Sequence, residues 1–271
     1  MGRTVASGIE EVANGVNVTV ENRPGGSTAV GYSYLLSQKG KPEFLAAAET
    51  TLSALPLSTK TPYRWDDFTP IAQVAEDALI VAVRADSPYK SLADLAEATK
   101  KKKLTAGIVA AVGPDSVLLD LLSTAQDVAY EPVVFESAGE SNTALLAGNI
   151  DFLVNNPAES KAYIESNDMR FLGIFTEERF DAPLLSDVPT AKEQGIDVTF
   201  GQWRGVMAPG EIDDAAVTYW QETITAWTET DSYKEYIEKN DLLPVLKTGD
   251  EFSSYLTDYE KTLSTSIKGA A

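Results

Sequence analysis

The sequence predicts an α/β protein of two lobes, in which the chain crosses between the lobes twice. Short β-branched or apolar runs alternate with helical runs, which is typical of α/β proteins with mainly parallel sheet. A chain of 271 residues with 44% hydrophobic content can also bury two cores of ordinary size. Two apolar strands, Leu79–Arg84 and Gly205–Pro209, are interpreted as the outgoing and returning crossings. The first lobe is therefore predicted at about 1–80 plus 202–271, and the second at about 81–201.

Strands are predicted where β-branched and apolar residues run together between turn residues. These runs are Val16–Val20, Phe44–Ala48, Ile71–Val74, Leu79–Val83, Leu104–Val109, Val133–Phe135, Phe152–Val154, Phe171–Phe175, Val198–Phe200 and Gly205–Ala208.

Helices are predicted from capping patterns and from apolar spacing. A small polar residue precedes an acid by three positions at Ser91, Asn156, Ser232 and Thr248, which indicates helix starts. The last helix has the clearest pattern, because its apolar residues recur at helical spacing and build one stripe. The stripe consists of Phe252, Tyr255, Leu256, Tyr259, Leu263 and Ile267.

The composition excludes several classes of function. Lysine and arginine total 22 against 41 aspartate and glutamate, and the net charge of −19 disfavours nucleic acid or an anionic membrane as a partner. The sequence has no cysteine and no histidine, which excludes disulfides, thiolate sites and histidine-bearing triads or zinc sites. We therefore expect no metal and no cofactor, and we interpret the acidity as a solubilising surface. The basic run Lys100–Lys103 is interpreted as a solvated helix end.

No run approaches the roughly 18 apolar residues of a membrane-spanning helix. Met1-Gly2-Arg3 does not begin like a signal peptide. The chain is therefore expected to be soluble, and it is expected to be a monomer.

A glycine-rich turn near the start resembles a phosphate-binding loop without its lysine. Gly26 and Gly31 have the spacing of that loop, but a tyrosine, Tyr32, stands where the lysine would carry charge to the phosphates. We therefore interpret the turn as a strand-to-helix connection whose glycines permit positive φ.

Small or polar residues follow several predicted strands, at the sheet edge where open α/β sheets bind ligands. Ala48, Glu49, Thr50 and Thr51 follow one strand and form either an ordinary turn or a ligand contact.

The loop of Ala110, Ala111, Val112, Gly113, Asp115 and Ser116 precedes an apolar helix, so its amides could hold a carboxylate with help from the helix dipole. Asp115 or Ser116 could instead cap that helix, and for Asp115 we favour the cap.

Two further strand ends repeat this arrangement. Ser137, Ala138 and Gly139 follow one predicted strand, and Asn155 and Asn156 follow another. Asn156 is predicted to cap its helix, whereas Asn155 is predicted to be the more available for a ligand.

Trp203 and Arg204 precede the returning crossing. They could supply an aromatic wall and a guanidinium fork for a carboxylate, or Arg204 could pair with a carboxylate at the hinge. Glu49, Glu136 and Glu140 are the acids near these segments, and their spacing carries no signature of paired-carboxylate catalysis.

Three segments together resemble a known receptor family. They are Glu21-Asn22-Arg23-Pro24-Gly25-Gly26-Ser27, Pro189-Thr190-Ala191-Lys192-Glu193-Gln194-Gly195 and Trp203-Arg204-Gly205-Val206-Met207-Ala208-Pro209. In order and approximate spacing they are similar to segments of the solute-binding receptors of tripartite tricarboxylate transporters, the Bug family. The resemblance runs from Gly2 to the last helix.

The resemblance implies a periplasmic-binding-protein-like fold with two interlobe crossings and a discontinuous first lobe. It implies capture of a small organic carboxylate by hinge closure and delivery to membrane permease subunits, in the periplasm. It favours ligand contact for the strand-end segments, although the family's loop corresponding to 110–116 is richer in serine and glycine. Family receptors normally begin with a further strand and a glycine-rich loop, and the sequence starts just downstream of them at Gly2-Arg3-Thr4. The first-lobe half of the site is therefore expected to be incomplete.

Two other functions remain open at this point. The same fold could present its ligand to a signalling partner instead of a permease, or it could form a small-molecule enzyme. The absence of histidine and cysteine argues against the enzyme.

Overall fold

A computed structural model describes residues 1–109, 111, 113–180, 182 and 184–267. The chain divides into two compact units. Unit 1 runs from Met1 to Glu76 and resumes at Trp203, and unit 2 comprises Asp77–Gln202.

Unit 1 is built on a four-stranded sheet with the order β1-β8-β2-β9. Its strands are β1 (Ala46–Glu49), β2 (Phe68–Asp77), β8 (Gln202–Pro209) and β9 (Leu243–Thr248). Its helices are α1 (Gly2–Val12), α2 (Ala29–Leu36), α3 (Thr51–Ser58), α8 (Asp214–Thr228), α9 (Asp231–Lys239) and α10 (Gly249–Ile267). The β1–β8 and β2–β9 pairs are antiparallel.

One core of unit 1 joins α1, α8, α9 and the sheet. Ile9 of α1, Ile71 and Val74 of β2, and Trp227 of α8 are buried within it. The predicted stripe of the last helix is confirmed in α10, whose Phe252, Leu256, Tyr259, Leu263 and Ile267 are buried.

Unit 2 contains a five-stranded sheet with the order β5-β4-β6-β3-β7. Its strands are β3 (Ile80–Arg84), β4 (Thr105–Ile108), β5 (Glu131–Val134), β6 (Phe152–Asn155) and β7 (Met169–Ile174). Its helices are α4 (Leu92–Thr99), α5 (Pro114–Gln126), α6 (Ala138–Leu146) and α7 (Pro157–Glu165). β4 runs parallel to β5 and β6, whereas β3 is antiparallel to β6 and β7. The expectation of mainly parallel sheet is therefore wrong for the described strand pairs. Unit 2 has two parallel and two antiparallel pairs, and the β1–β8 and β2–β9 pairs of unit 1 are antiparallel.

Two predicted strands are absent. Val16–Val20 is irregular: Val18 donates its amide to the Glu10 carboxylate at 2.8 Å, and Val16 and Val18 pack against the core of unit 1. Val198–Phe200 is also irregular, and the Phe200 amide bonds to the carbonyl of Phe175 at 2.9 Å. Both runs have strand-like composition, but a strand also requires a paired neighbour, which local composition does not specify.

The predicted helix starts differ in how they are capped. Ser91 caps α4 and accepts a hydrogen bond from the Asp94 amide, as expected. The cap of α9 is Thr230 rather than Ser232, and the Ser232 hydroxyl instead accepts a hydrogen bond from the Trp227 indole at 3.1 Å. Among the helices of the described residues, none has the length and apolar character needed to cross a bilayer.

Candidate functional site

Three strand ends and three helix starts of unit 2 lie at one edge of its sheet. β4, β5 and β6 are parallel, so their carboxyl ends share an edge, and α5, α6 and α7 begin within a few residues of those ends. This arrangement brings the predicted loops after Ile108, Val134 and Val154 to the same side of the unit. We call this region the sheet edge. The first-turn amides of these helices carry partial positive charge and lack intrahelical acceptors.

At the start of α5, the polar side chains are used within the loop. Gly113 is the N-terminal cap residue, and its amide donates to the Ser116 hydroxyl at 3.0 Å, while that hydroxyl donates to the Gly113 carbonyl at 2.9 Å. The buried Asp115 carboxylate accepts the amide of Val109, so it ties the end of β4 to the helix. Ser116 is therefore bonded to the cap residue, Gly113, and is not itself the cap. Ala111 is exposed, and the predicted contacts Ala110 and Val112 lie outside the described residues.

At the start of α6, two amides have no acceptor among the described residues. Ser137 caps the helix and accepts the Glu140 amide at 3.3 Å, and the Glu140 carboxylate accepts the Glu136 amide at 3.1 Å. The next two amides, those of Ala138 and Gly139, are left without a protein partner there. Ser137 and Gly139 are exposed, and a side chain placed at Gly139 meets only the Ser137 hydroxyl, at 3.9 Å. This helix start is therefore open to an anion.

The start of α7 differs, because a buried polar network lies beneath it. Asn155 is 4% exposed; its side-chain carbonyl accepts the Asn156 amide at 2.8 Å, and its side-chain NH2 lies 3.5 Å from the Ser160 hydroxyl. That hydroxyl donates to Asn142 at 3.0 Å, and Asn142 donates to the Glu159 carbonyl at 2.9 Å. The prediction that Asn155 is available for a ligand does not fit this burial and bonding.

Asn156 occupies the cap position of α7 but makes no side-chain cap. Its NH2 group instead donates to the carbonyl of Ala78 at 2.9 Å, next to β3. The predicted cap is therefore correct in position and wrong in bonding.

The end of β1 in unit 1 contains a second group of predicted residues. Ala48 and Thr50 are fully buried, and the Thr50 hydroxyl bonds to the Tyr259 hydroxyl at 2.9 Å. The Glu49 carboxylate accepts the Thr51 amide at 3.2 Å and also the Thr51 hydroxyl. The negatively charged carboxylate of Glu49 therefore already lies at the first turn of α3. Burial, together with the Glu49 carboxylate, raises the pKa of the nearby Tyr32 phenol well above its usual range.

Trp203 and Arg204 point to opposite faces of β8. Trp203 is 0% exposed and meets Phe252 edge-on at 5.6 Å between ring centroids, so it belongs to the core beside α10 and does not form the predicted aromatic wall. Arg204 is half-buried and lies opposite Glu49 in the β1–β8 register. Burial and the charge of Arg204 lower the pKa of the Met1 amino group. The ligand contact and the hinge ion pair of Arg204 both stay predictions.

The glycine-rich turn before α2 adopts the conformation that its composition predicts. Gly25 and Gly26 have φ values of 121° and 55°, and Ser27 and Thr28 also have positive φ. The Arg23 guanidinium lies 3.3 Å from the centroid of the Tyr34 ring. Across the described ranges, no group of three or more histidine, cysteine, aspartate or glutamate residues is arranged to hold a metal ion.

Sequence reasoning missed the network of Asn142 and Ser160. Both are polar residues at buried helix positions, and no motif distinguishes them from exposed polar residues. Their unexpected burial is visible only once α6 and α7 are placed side by side.

Comparison with known proteins identifies the family. The family model for the tripartite tricarboxylate transporter family receptor, TctC, matches residues 1–269. A curated relative from Cupriavidus necator, a UPF0065 protein in the gbd 5′ region, is 26% identical over 252 residues, which are 91% of this chain and 76% of the relative.

Solved structures agree with the fold. A TctC solute-binding protein from Polaromonas, without ligand, has a TM-score of 0.90 and 23% identity, with 99% of this chain and 92% of that chain covered. The R. palustris protein Rpa4515 with adipate has a TM-score of 0.79 and 23% identity, with 99% and 91% covered. The expected two-lobed, periplasmic-binding-protein-like α/β fold is thereby confirmed. The chain belongs to the tripartite tricarboxylate transporter receptor family.

Proposed function

We propose that this solute-binding receptor captures a small organic carboxylate outside the cytoplasm and delivers it to a membrane permease. Family membership supplies the receptor role. The carboxylate, the permease subunits, the periplasmic location, the monomeric state and the absence of catalytic turnover are parts of the proposal. Capture by hinge closure, as the family resemblance implies, is also part of it.

The observation that carries the carboxylate is the open start of α6. The segment of exposed Ser137, half-buried Ala138 and exposed Gly139 has two amides, those of Ala138 and Gly139, that no described group accepts. Amides at a helix start bind an anion through hydrogen bonds and the helix dipole, directly or through water. Such a site needs no basic side chain, which is compatible with a net charge of −19.

A structural relative supports the same ligand class. The R. palustris protein of similar fold is bound to adipate, a dicarboxylate. The identity between the two chains is 23%, so the relative supports a class of ligand and does not specify the compound.

A thermal-shift screen tests the proposal. Di- and tricarboxylates, acidic amino acids and aromatic acids are compared with neutral sugars and with simple cations. A ligand at about 100 times its Kd stabilises the native state by about 2.7 kcal/mol. For a chain of this size that gain raises Tm by about 5–10 °C.

At least one carboxylate is expected to raise Tm, and incubation with it is expected to leave it chemically unchanged. Stabilisation by sugars or cations with none by carboxylates would contradict the proposed ligand. Steady conversion of a bound compound would favour the enzyme instead.

A further inference from the structure

The run Lys100–Lys103 is the basic feature that the proposed function does not use. α4 ends at Thr99, the four lysines follow, and β4 begins at Thr105. The chain has 22 basic and 41 acidic residues, so a run of four successive lysines is unusual for such an acidic chain. We call residues 100–103 the lysine turn.

The backbone of the lysine turn is fixed at both ends. The amides of Lys101 and Lys102 both donate to the Ala98 carbonyl at 3.0 Å. Beyond the turn, the Leu104 amide donates to the Thr99 hydroxyl at 2.9 Å, and the Leu104 side chain is 1% exposed. All four lysines are exposed. The turn therefore presents four exposed ammonium groups from an ordered backbone, so binding a partner carries no cost for ordering that backbone.

The two outer lysines are weakly paired within the unit. Lys100 lies 2.7 Å from the Glu97 carboxylate, and Lys103 lies 3.9 Å from that of Glu131. Both pairs are solvent-exposed, so each contributes little and can exchange for another carboxylate.

The two central lysines have no carboxylate within ion-pair distance in the part of the chain that the structure describes. Three other cations of unit 2 are paired with a carboxylate: Arg84 with Asp86, Arg179 with Glu193 and Lys192 with Glu177. A cation near the end of a helix complements the dipole. That effect fades within one turn and does not require four lysines.

The lysine turn lies at the opposite end of β4 from the sheet edge. It precedes Thr105, the first residue of β4, whereas α5 follows the last residue, Ile108. Lys103 reaches Glu131, the first residue of the parallel strand β5, which places both at the same amino-terminal edge. A partner at the lysine turn would therefore leave the helix starts of the sheet edge uncovered.

We propose that the lysine turn is a docking surface for an acidic segment of a partner protein. Carboxylates of that segment pair with Lys101 and Lys102 and replace Glu97 and Glu131 as partners of the outer lysines. A protein segment fits better than an anionic lipid surface, because a flat membrane also approaches the acids beside the turn on a chain of net charge −19. A short projecting segment meets mainly charges within the screening distance of about 8 Å at physiological salt.

The test measures binding of a fluorescent oligoglutamate peptide by anisotropy, at low and at physiological salt. The variant is Lys101→Gln/Lys102→Gln. The matched control is Lys234→Gln/Lys239→Gln, which removes two exposed lysines from α9 in unit 1. The first variant is expected to bind about three- to tenfold more weakly than the wild type, as for the loss of two exposed ion pairs. The control is expected to bind like the wild type.

Equal loss in both variants would overturn the proposal, because it would show attraction to net charge alone. Absence of wild-type binding at low salt would also overturn it. Co-sedimentation with phosphatidylglycerol vesicles that depends on Lys101 and Lys102, without peptide binding, would replace the protein segment by a lipid surface. Tm should be unchanged in both variants, and so should carboxylate binding, so the proposed ligand and the docking surface can fail independently.

Discussion

The backbone amide of Ala138 distinguishes the start of α6 from the starts of α5 and α7 at the sheet edge. α5 and α7 begin with Pro114 and Pro157, which have no N–H, whereas α6 begins with Ala138 and keeps its first amide. Of these three helix starts, α6 therefore offers a ligand the donor that the other two lack at the same position. Proline is favoured at the first position of a helix, so this donor can be removed with little disturbance.

Ala138→Pro is expected to weaken carboxylate binding by about 10- to 100-fold, the cost of one hydrogen bond to a charged group. Folding stability should stay within about 1 kcal/mol, because Ser137 already has the extended backbone that precedes proline, with φ −154° and ψ 157°. Isothermal titration and urea unfolding measure the two quantities.

The control for this change is Asp214→Pro, which places proline at the first position of α8 in unit 1. It should leave binding as in the wild type. Unchanged binding in Ala138→Pro would remove the α6 amide from the site.

At the residue level, the sequence predicts the positions of polar side chains well. It predicts their hydrogen-bond partners less well. Polar strand ends at Ser137 and Asn155 follow from the alternation of strands and turns, and the parallel strands bring them to one edge. Whether a side chain faces a ligand depends on its neighbours in space. Asn155 lies inward beside the Ser160 hydroxyl of α7, and that hydroxyl donates in turn to Asn142 of α6. The network therefore depends on two different helices.

At the level of elements, the contact of α1 with α8 depends on a glycine. Gly8 faces the ring of Trp227, and a Cβ at this position would lie 2.2 Å from the indole nitrogen. Trp227 is 0% exposed and its indole N–H donates to Ser232, whose hydroxyl donates to Glu11 of α1 at 2.6 Å. The ring is therefore held from two sides and cannot move away easily.

Gly8→Ala is expected to destabilise the protein by about 1–3 kcal/mol. Overpacking of a buried contact costs this much, and it outweighs the gain of up to about 1 kcal/mol in helix propensity. Urea unfolding followed by tryptophan fluorescence measures the change.

Gly2→Ala in the same helix is the matched control, because its Cβ would meet Ala47 at an ordinary 3.6 Å. It should be neutral or slightly stabilising. Equal stability of both variants would show that α1 shifts freely over α8.

The sequence predicts best those elements whose pattern of residues is sufficient by itself to identify them. The apolar stripe of α10, from Phe252 to Ile267, covers about four turns and is recognisable from the sequence without knowing which elements it packs against. The segment Val16–Val20 has an equally clear alternation, yet it forms no strand, because strand formation is decided by pairing with a neighbour. β9 was missed for the opposite reason: Pro244 interrupts its apolar run, and proline is tolerated because β9 lies at the edge of its sheet.

For the molecule as a whole, the absence of histidine simplifies the response to pH. Between about pH 6 and 9 the Met1 amino group is the expected titrating group, since carboxyls and phenols ordinarily titrate outside this range. Its pKa is lowered by burial and by Arg204, so the folded state binds its proton less tightly than the unfolded chain. Stability should therefore rise slightly toward pH 8 and otherwise stay level.

Above pH 10 the buried phenols are expected to reverse this trend. Burial raises the pKa of Tyr233 to about 12, and it raises those of Tyr130, Tyr255 and Tyr259 further. The folded state then holds phenolic protons that the unfolded chain releases near pH 10. Stability is thus fully present below pH 10 and falls by up to about 1.4 kcal/mol per pH unit for each such phenol as the pH rises.

Urea unfolding from pH 6 to 12, with tyrosinate absorbance recorded in parallel, measures both trends. Absorbance of the buried phenols should appear together with unfolding rather than before it. Tyr233→Phe loses the hydrogen bond to the Val74 carbonyl at 2.7 Å, so it should be less stable at neutral pH and yet lose stability less steeply above pH 10. A wild-type stability that stays level to pH 12 would show that these phenols titrate alike in the folded and unfolded states, and that burial does not control their protons.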